Sequence, residues 1–429
     1  MTAASPRVVV TGVGFASALG VGRDAVRTGL EQGSTCLLDL EERLARVPPG
    51  AGAVLDLPRK EFRNYFDTRV LRLSTMTRQT TLGCIAAGDL LVDAGCPPNG
   101  TEYADKGAYL GSFIVPPDFA KQVKAVRILA HRPDGEDTGY VLDDARLDEA
   151  MKMASAFDFL RALPNMPSAH LSIQAGYQGP ACTYLGSDSS GMQAMGMAVG
   201  AIQSGLATAM IAGGAFFPFQ EVHLAWQESR GLWADAGPVA QRVRPYAADR
   251  TGTLPGEGAA LFYFEEREAA LARGATILAE VVGFGQRFVT PGGDDDLSVR
   301  VDTLRAALPD AAPDWIAPLG LGHPELDALE AQAYQRAFGD SLGQSGLVTL
   351  VPQIGYCGPA AGPLNLVAAL LAAAGEASPK RTEVLADENC SALARAMGQA
   401  GKSGPGSVVL GSSFSLDGVH AALALRVGG

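Results

Sequence analysis

Between Gly179 and Ala215 the chain reads as strand, tight turn, helix and strand, and the helix has almost no polar face. From Met192 to Ile202 the residues Met195, Ala198, Val199 and Ile202 recur at three-to-four spacing, and Gly, Ala and Met fill most positions between them. A helix that is apolar on most sides has to be covered on most sides. It belongs in the middle of a layered molecule, with CTYLGSD before it and AMIAGGA after it as covered strands.

The same grammar appears twice. RVVVTGVG, GAYLGSF, CTYLGSD, AMIAGGA and AALFYFEE come first, and ILAEVVGFG, WIAPLGLG, LVTLVPQIGY, SVVLGSSF and AALALRV follow after about Arg273. Apolar strands alternating with helices call for sheets covered on both faces. A chain of 429 residues also exceeds the size at which one core keeps growing. Two related halves are expected, residues 1–267 and 268–429. The polar stretch from Arg132 to Glu149 reads as a surface insertion.

A net charge of −12 gives no basic field to attract phosphate, which disfavours nucleic acid and anionic membranes as partners. Cys36, Cys84, Cys96, Cys182, Cys357 and Cys390 lack zinc or disulfide spacing, and His131, His170, His223, His323 and His420 lack metal-ligand spacing. Cys182, within a strand, reads as a small core residue. No metal or cofactor is expected. Gly12-Val13-Gly14 fails as a dinucleotide fingerprint because Ser17 takes the third glycine position. The start of the chain lacks a charged segment followed by a long apolar one, and no apolar run approaches membrane-spanning length, so a cytoplasmic protein is expected.

Four segments in sequence order resemble the β-ketoacyl synthase family. They are RVVVTGVGFASALG, GPACTYLGSDSSGMQAMGMAVGAIQSGLATAMIAGGA, RPYAADRTGTLPGEGAALFYFEE with Gly256-Glu257-Gly258, and VVLGSSFSLDGVHAAL, a degraded form of the family's N-S-F-G-F-G-G loop. The resemblance implies an α/β, thiolase-like α-β-α-β-α fold of five layers built from two duplicated halves. It also implies a Cys-His-His site. There a thiolate at a helix N-terminus takes an acyl chain from a carrier-protein thioester, and two imidazoles polarise the malonyl thioester as it loses carbon dioxide.

This sequence departs from that set at every member. Anchored on Gly179-Pro180 and Gly191, the cysteine position holds Asp188, flanked by Ser187, Ser189 and Ser190. The position of the first histidine, in H-G-T-G-T-P-x-x-D-x-x-E, holds Leu319, with His323 displaced by four residues; the second, after K-S-x-x-G, holds Tyr356. Asp188 suits a helix N-cap.

Such losses resemble the chain-length factors of type II polyketide synthases, as do Gly322-His323-Pro324-Glu325-Leu326-Asp327 through Glu330-Ala331 and Gly362-Pro363-Leu364-Asn365-Leu366. That resemblance implies a heterodimer with an active ketosynthase, reached through it by an acyl carrier protein. It also implies a tunnel to which Phe119, Val123 and Val126 contribute from one helix face, with Lys121 and Lys124 turned elsewhere. The competing reading is an autonomous acyltransferase or hydrolase rebuilt around Asp188, Ser189 and Tyr356.

Overall fold

The computed structural model describes residues 5–428 except 41–49, 99, 115–118, 132–140, 154, 236, 292, 294, 310, 383 and 387. The principal elements of the first half are β1 (Val8–Ser17), α1 (Arg78–Asp93), β2 (Lys106–Ser112), α2 (Phe119–Leu129), α3 (Leu147–Met151), α4 (Ala156–Arg161), α5 (Met166–Ala175), β3 (Ala181–Leu185), α6 (Ser190–Gln203), β4 (Ala209–Phe216), α7 (Glu221–Ser229) and β5 (Gly258–Glu266). Those of the second are β6 (Ala279–Phe288), α8 (Asp296–Ala307), β7 (Trp315–Ala317), α9 (Pro324–Phe338), β8 (Gly346–Leu347), α10 (Ala361–Ala374), β9 (Val408–Phe414) and β10 (Val419–Val427).

The duplication is visible in the strand order. The first half runs β1-β5-β4-β2-β3 and the second β6-β10-β9-β7-β8, which is first, fifth, fourth, second, third in both. Direction repeats as well. The two pairings of each set nearest the junction, β1 with β5 and β5 with β4, β6 with β10 and β10 with β9, are antiparallel. The remaining pairings, β4 with β2, β2 with β3, β9 with β7 and β7 with β8, are parallel. The two sets join where Val9 pairs with Glu280 and Val10 with Ala279.

The middle layer consists of α6 and α10, which pack on each other and on the sheets of the two halves. Every residue of α10 except Ala374 is buried. Its leucines, such as Leu364, Leu366 and Leu370, each stabilise this layer by about 2 kcal/mol through burial. Outer layers are formed by α1 and α5 on one side and α8 and α9 on the other. The result is the five-layer α-β-α-β-α arrangement.

Of the surface insertion, residues 132–140 lie outside the described residues. The rest folds as a small antiparallel pair, Ala130–His131 with Val141–Leu142, leading into α3.

One expectation is corrected here. Cys182 is exposed and not a core residue. It lies on β3, which pairs only with β2 among the described residues and so leaves one edge open. Cys182 is thus uncovered although its strand is as apolar as a buried one.

Candidate functional site: the elbow at the start of the buried helix

At the elbow, β3 ends at Leu185 and Gly186-Ser187-Asp188-Ser189 turns the chain into α6. Space there is tight: a Cβ on Gly191 would come within 2.0 Å of Pro359 O, so only glycine lets the first turn of α6 approach the segment 358–360. Gly362 likewise faces Met192 on one side and Ser413 on the other. The start of α6 is therefore met by the elbow, the end of β2 at Gly111, residues 355–363 and residues 412–417.

Asp188 is fully buried. It does not cap α6, contrary to expectation. The N-cap is Ser189, which makes no side-chain capping bond, while the Asp188 carboxyl points across to the C-terminal loop and accepts Leu416 N at its Oδ2, 3.4 Å away. Among the described residues Asp188 Oδ1 has no hydrogen-bond partner. Burial, and next the Asp417 carboxylate, push the Asp188 carboxyl up to about 7. Ser413 Oγ donates to Asp188 O at 2.7 Å.

The elbow serines are committed elsewhere. Ser187 N and Oγ both donate to Asp417 Oδ2 at 3.1 Å, and Ser187 Oγ also bonds Ser415 Oγ. Ser190 Oγ donates to Ser187 O at 3.0 Å, and Ser189 Oγ accepts from the Gln193 amide at 3.4 Å. Among the described residues no imidazole hydrogen-bonds any of the three, so none has a base to activate it.

Leu319 is buried and is held by its backbone. Glu330 accepts Leu319 N at 2.9 Å and Gly320 N at 3.0 Å, and Asp327 accepts Leu321 N and Gly322 N at 3.0 Å each. Asp327 also takes Tyr246 N at 2.9 Å, and Glu330 takes the Tyr246 hydroxyl at 2.8 Å. Burial pushes the Asp327 carboxyl up to about 7 and raises that of Glu330 as well. The i, i+3 acids of the PELDALE stretch thus serve the loop ahead of them. Asn365 fastens the same region: its amide donates to Pro318 O at 2.7 Å and its carbonyl accepts Leu350 N at 2.9 Å.

His323 sits at the N-cap of α9, where its Nδ1 accepts Leu326 N at 3.4 Å and Pro324 follows at the first helical position. This imidazole caps a helix and is neutralised further by burial, which lowers its pKa.

Tyr356 is buried, with its backbone bonded to Leu254 O and Gly256 N at 2.7 and 2.9 Å. It shares one apolar cluster with Leu319, Met192, Phe216 and Ile354. Aromatic rings fill the neighbourhood. Tyr356 lies 6.3 Å from Phe216, Phe216 lies 6.1 Å from Phe113, and Phe113 lies 5.0 Å from His223 and 5.2 Å from Trp226. His223 is wedged between two carbonyls, Ile114 O at 2.5 Å and Phe217 O at 3.1 Å. Sequence reasoning passed over this cluster. Its signal was present in the aromatics that close the parallel strands β2 and β4 at their C-terminal ends, where such sheets hold their ligands.

Of the tunnel residues, Phe119 opens α2, but its side chain lies outside the described residues. Val126 is exposed and lines a groove of about 340 Å³ with Lys121, Leu129, Leu147, Met151 and Phe159. Val123 is half-buried and does not line that groove, whereas Lys121 does and pairs with Asp158 at 3.1 Å. The helix face toward α3 and α4 is therefore that of Lys121, Ala125, Val126 and Leu129, displaced from the expected one.

No helix among the described residues is long and apolar enough to cross a membrane. The chain is 28% identical over 384 residues to nodulation protein E of Rhizobium leguminosarum bv. trifolii, covering 85% of this chain and 86% of that protein. It is 28% identical over 441 residues to 3-oxoacyl-[acyl-carrier-protein] synthase 2 of Rhizobium meliloti, covering 98% of each. Its fold is similar to a chain of the ishigamide ketosynthase/chain length factor, with a TM-score of 0.81 at 22% identity over 99% of this chain and 100% of that one. Residues 5–270, which carry the elbow, the buried helix and the Gly256-Glu257-Gly258 turn, match the family described as Beta-ketoacyl synthase, N-terminal domain. With the paired five-stranded sheets and the buried helix behind the elbow, this makes the chain a member of the β-ketoacyl synthase family.

Proposed function

We propose that this chain is the non-catalytic chain-length-factor subunit of a type II polyketide synthase, pairing with an active β-ketoacyl synthase. The observation that carries the reading is the chemistry of Asp188, Leu319 and Tyr356, taken as the three places where active members hold cysteine and two histidines. All three are buried. Decarboxylative condensation needs a soft nucleophile to carry the acyl group and imidazoles to stabilise the charge on the malonyl thioester oxygen. A carboxyl, an isobutyl group and a phenol supply neither. Transfer of an acyl group from a thioester to a carboxylate would give an anhydride, which is uphill.

The open edge of β3 is where the partner would join. Leu185 on that strand and Ile173 on neighbouring α5 are 45% and 56% exposed, an apolar border beside unpaired backbone groups. Such an edge invites sheet extension. The groove at Val126, with Phe119 and Val123 on the same helix, would become a closed tunnel for the growing polyketide or polyene chain once a second subunit covers it. The acyl carrier protein would deliver that chain through the ketosynthase, in the cytoplasm and without a cofactor in this subunit. The name of the ishigamide relative supports the pairing, and that of the synthase 2 relative supports the carrier protein.

The test is intact-mass analysis of the purified chain mixed with an acyl-carrier-protein thioester. The reading expects no acyl adduct on the chain and no release of carbon dioxide from malonyl carrier protein. An adduct on Ser187, Ser189 or Asp188 would favour an autonomous acyltransferase instead.

A further inference from the structure

The segment after β9, residues 412–417, is tied to the elbow from both ends. Ser413 donates to Asp188 O, Leu416 N donates to the Asp188 carboxyl, and Ser187 bonds both Ser415 and Asp417. These contacts link the first half of the chain to the last strand pair of the second. Ser187 and Asp188 thus fasten a loop between two strands to the elbow, as a catch would.

We propose that this catch is pH-sensitive, with Asp188 as its sensing group: the neutral acid keeps residues 412–417 closed over the elbow, and ionisation releases them. The geometry supplies the reason. A buried carboxylate needs several donors to replace its water, and Asp188 has one N–H at Oδ2, 3.4 Å away, only weaker help from its own backbone N–H and the Ser187 hydroxyl, and no partner at Oδ1 among the described residues. Asp417 belongs to the same knot of hydrogen bonds, so a charged Asp188 would stand beside a second anion in a dry site. Among the described residues the other segments around the elbow bring no cation. The end of β2 contributes Gly111 and Ser112, the elbow itself only serines, and residues 355–363 only a phenol and a thiol as ionisable groups. The displaced pKa of Asp188, about 7, agrees with this arrangement.

The linkage has a definite sign. An aspartate whose closed-state pKa lies above its solvated value binds more protons when closed, so closure weakens as pH rises between the two values and levels off above the higher. The catch rests on these contacts and not on the partner-subunit reading, which product assays address separately.

Hydrogen exchange of backbone amides in residues 411–419 of the full chain, corrected for intrinsic rates, tests it between about pH 5 and pH 8. The opening constant is expected to rise about tenfold per pH unit up to about pH 7 and then flatten. In Asp188→Asn the profile is expected to be flat. In Asp417→Asn, with the neighbouring charge gone, the flattening point is expected to shift to lower pH. A wild-type profile without slope, or an Asp188→Asn profile with the wild-type slope, would overturn the proposal.

Discussion

Glu330 holds Leu319: Oε1 of the first accepts the backbone N–H of the second at 2.9 Å inside the protein. The loop between β7 and α9, residues 318–323, is thereby kept in a fixed shape, and the imidazole at its end, His323, is spent as the cap of α9. Asp327 and Asn365 do the same for the adjoining residues. The acids and the amide together fix the backbone around Leu319.

Replacing Glu330 with Ala should therefore destabilise the fold by about 3 kcal/mol, because Leu319 N, Gly320 N and the Tyr246 hydroxyl all lose their buried acceptor. Urea unfolding checks this. A loss below about 0.5 kcal/mol would mean that the loop is held by something else.

Removing the imidazole of His223 while keeping a ring of similar size should also cost stability. In His223→Phe, whichever of Ile114 O and Phe217 O accepts the single N–H of the neutral ring loses its donor, burial having lowered the imidazole's pKa. The expected loss is about 1–3 kcal/mol, read as a lower denaturation midpoint.

The pH dependence of global stability should separate wild type from Asp188→Asn. The native carboxyl at about 7 lies above an unfolded aspartate near 4, so the native state binds the extra proton. The contribution is full below about pH 4 and is lost as pH rises toward 7, at about 1.4 kcal/mol per pH unit. Other carboxyls titrate in both variants, so the difference between the two curves is the measured quantity. Parallel curves would remove Asp188 as the source.

A charge on the open edge should block assembly without unfolding the chain. Leu185 is 45% exposed, so Leu185→Asp should shift stability by no more than about 0.5 kcal/mol. Co-purification with the ketosynthase should fall by about 100-fold or more, since the aspartate would be buried without a partner. Unchanged co-purification would place the interface elsewhere.

Much of the fold was legible because apolar periodicity is local. The run from Met192 to Ile202 could only be a covered helix, and it is the middle layer. The two strand sets were readable from their repeated grammar. Cys182 was misread because an apolar strand at an open edge has the same sequence signature as one in the interior. Asp188 was read as a cap from its place before the helix. The direction of its carboxyl is decided by Leu416, more than two hundred residues away. His323 carried a readable signal, standing just before Pro324, yet its meaning as a cap depends on where α9 starts. The rings of Phe113, Phe216, His223, Trp226 and Tyr356 come from four separate segments, so only the folded chain shows them together.

The most direct measurement is product formation by an active ketosynthase, retaining its cysteine and both histidines, with acyl carrier protein and malonyl donor, in the presence and absence of this chain. The account predicts that elongated products of defined length appear only when both chains are present, and that this chain without the ketosynthase yields none. Condensation by this chain alone, or a product profile from the ketosynthase that is the same with and without it, would contradict the account.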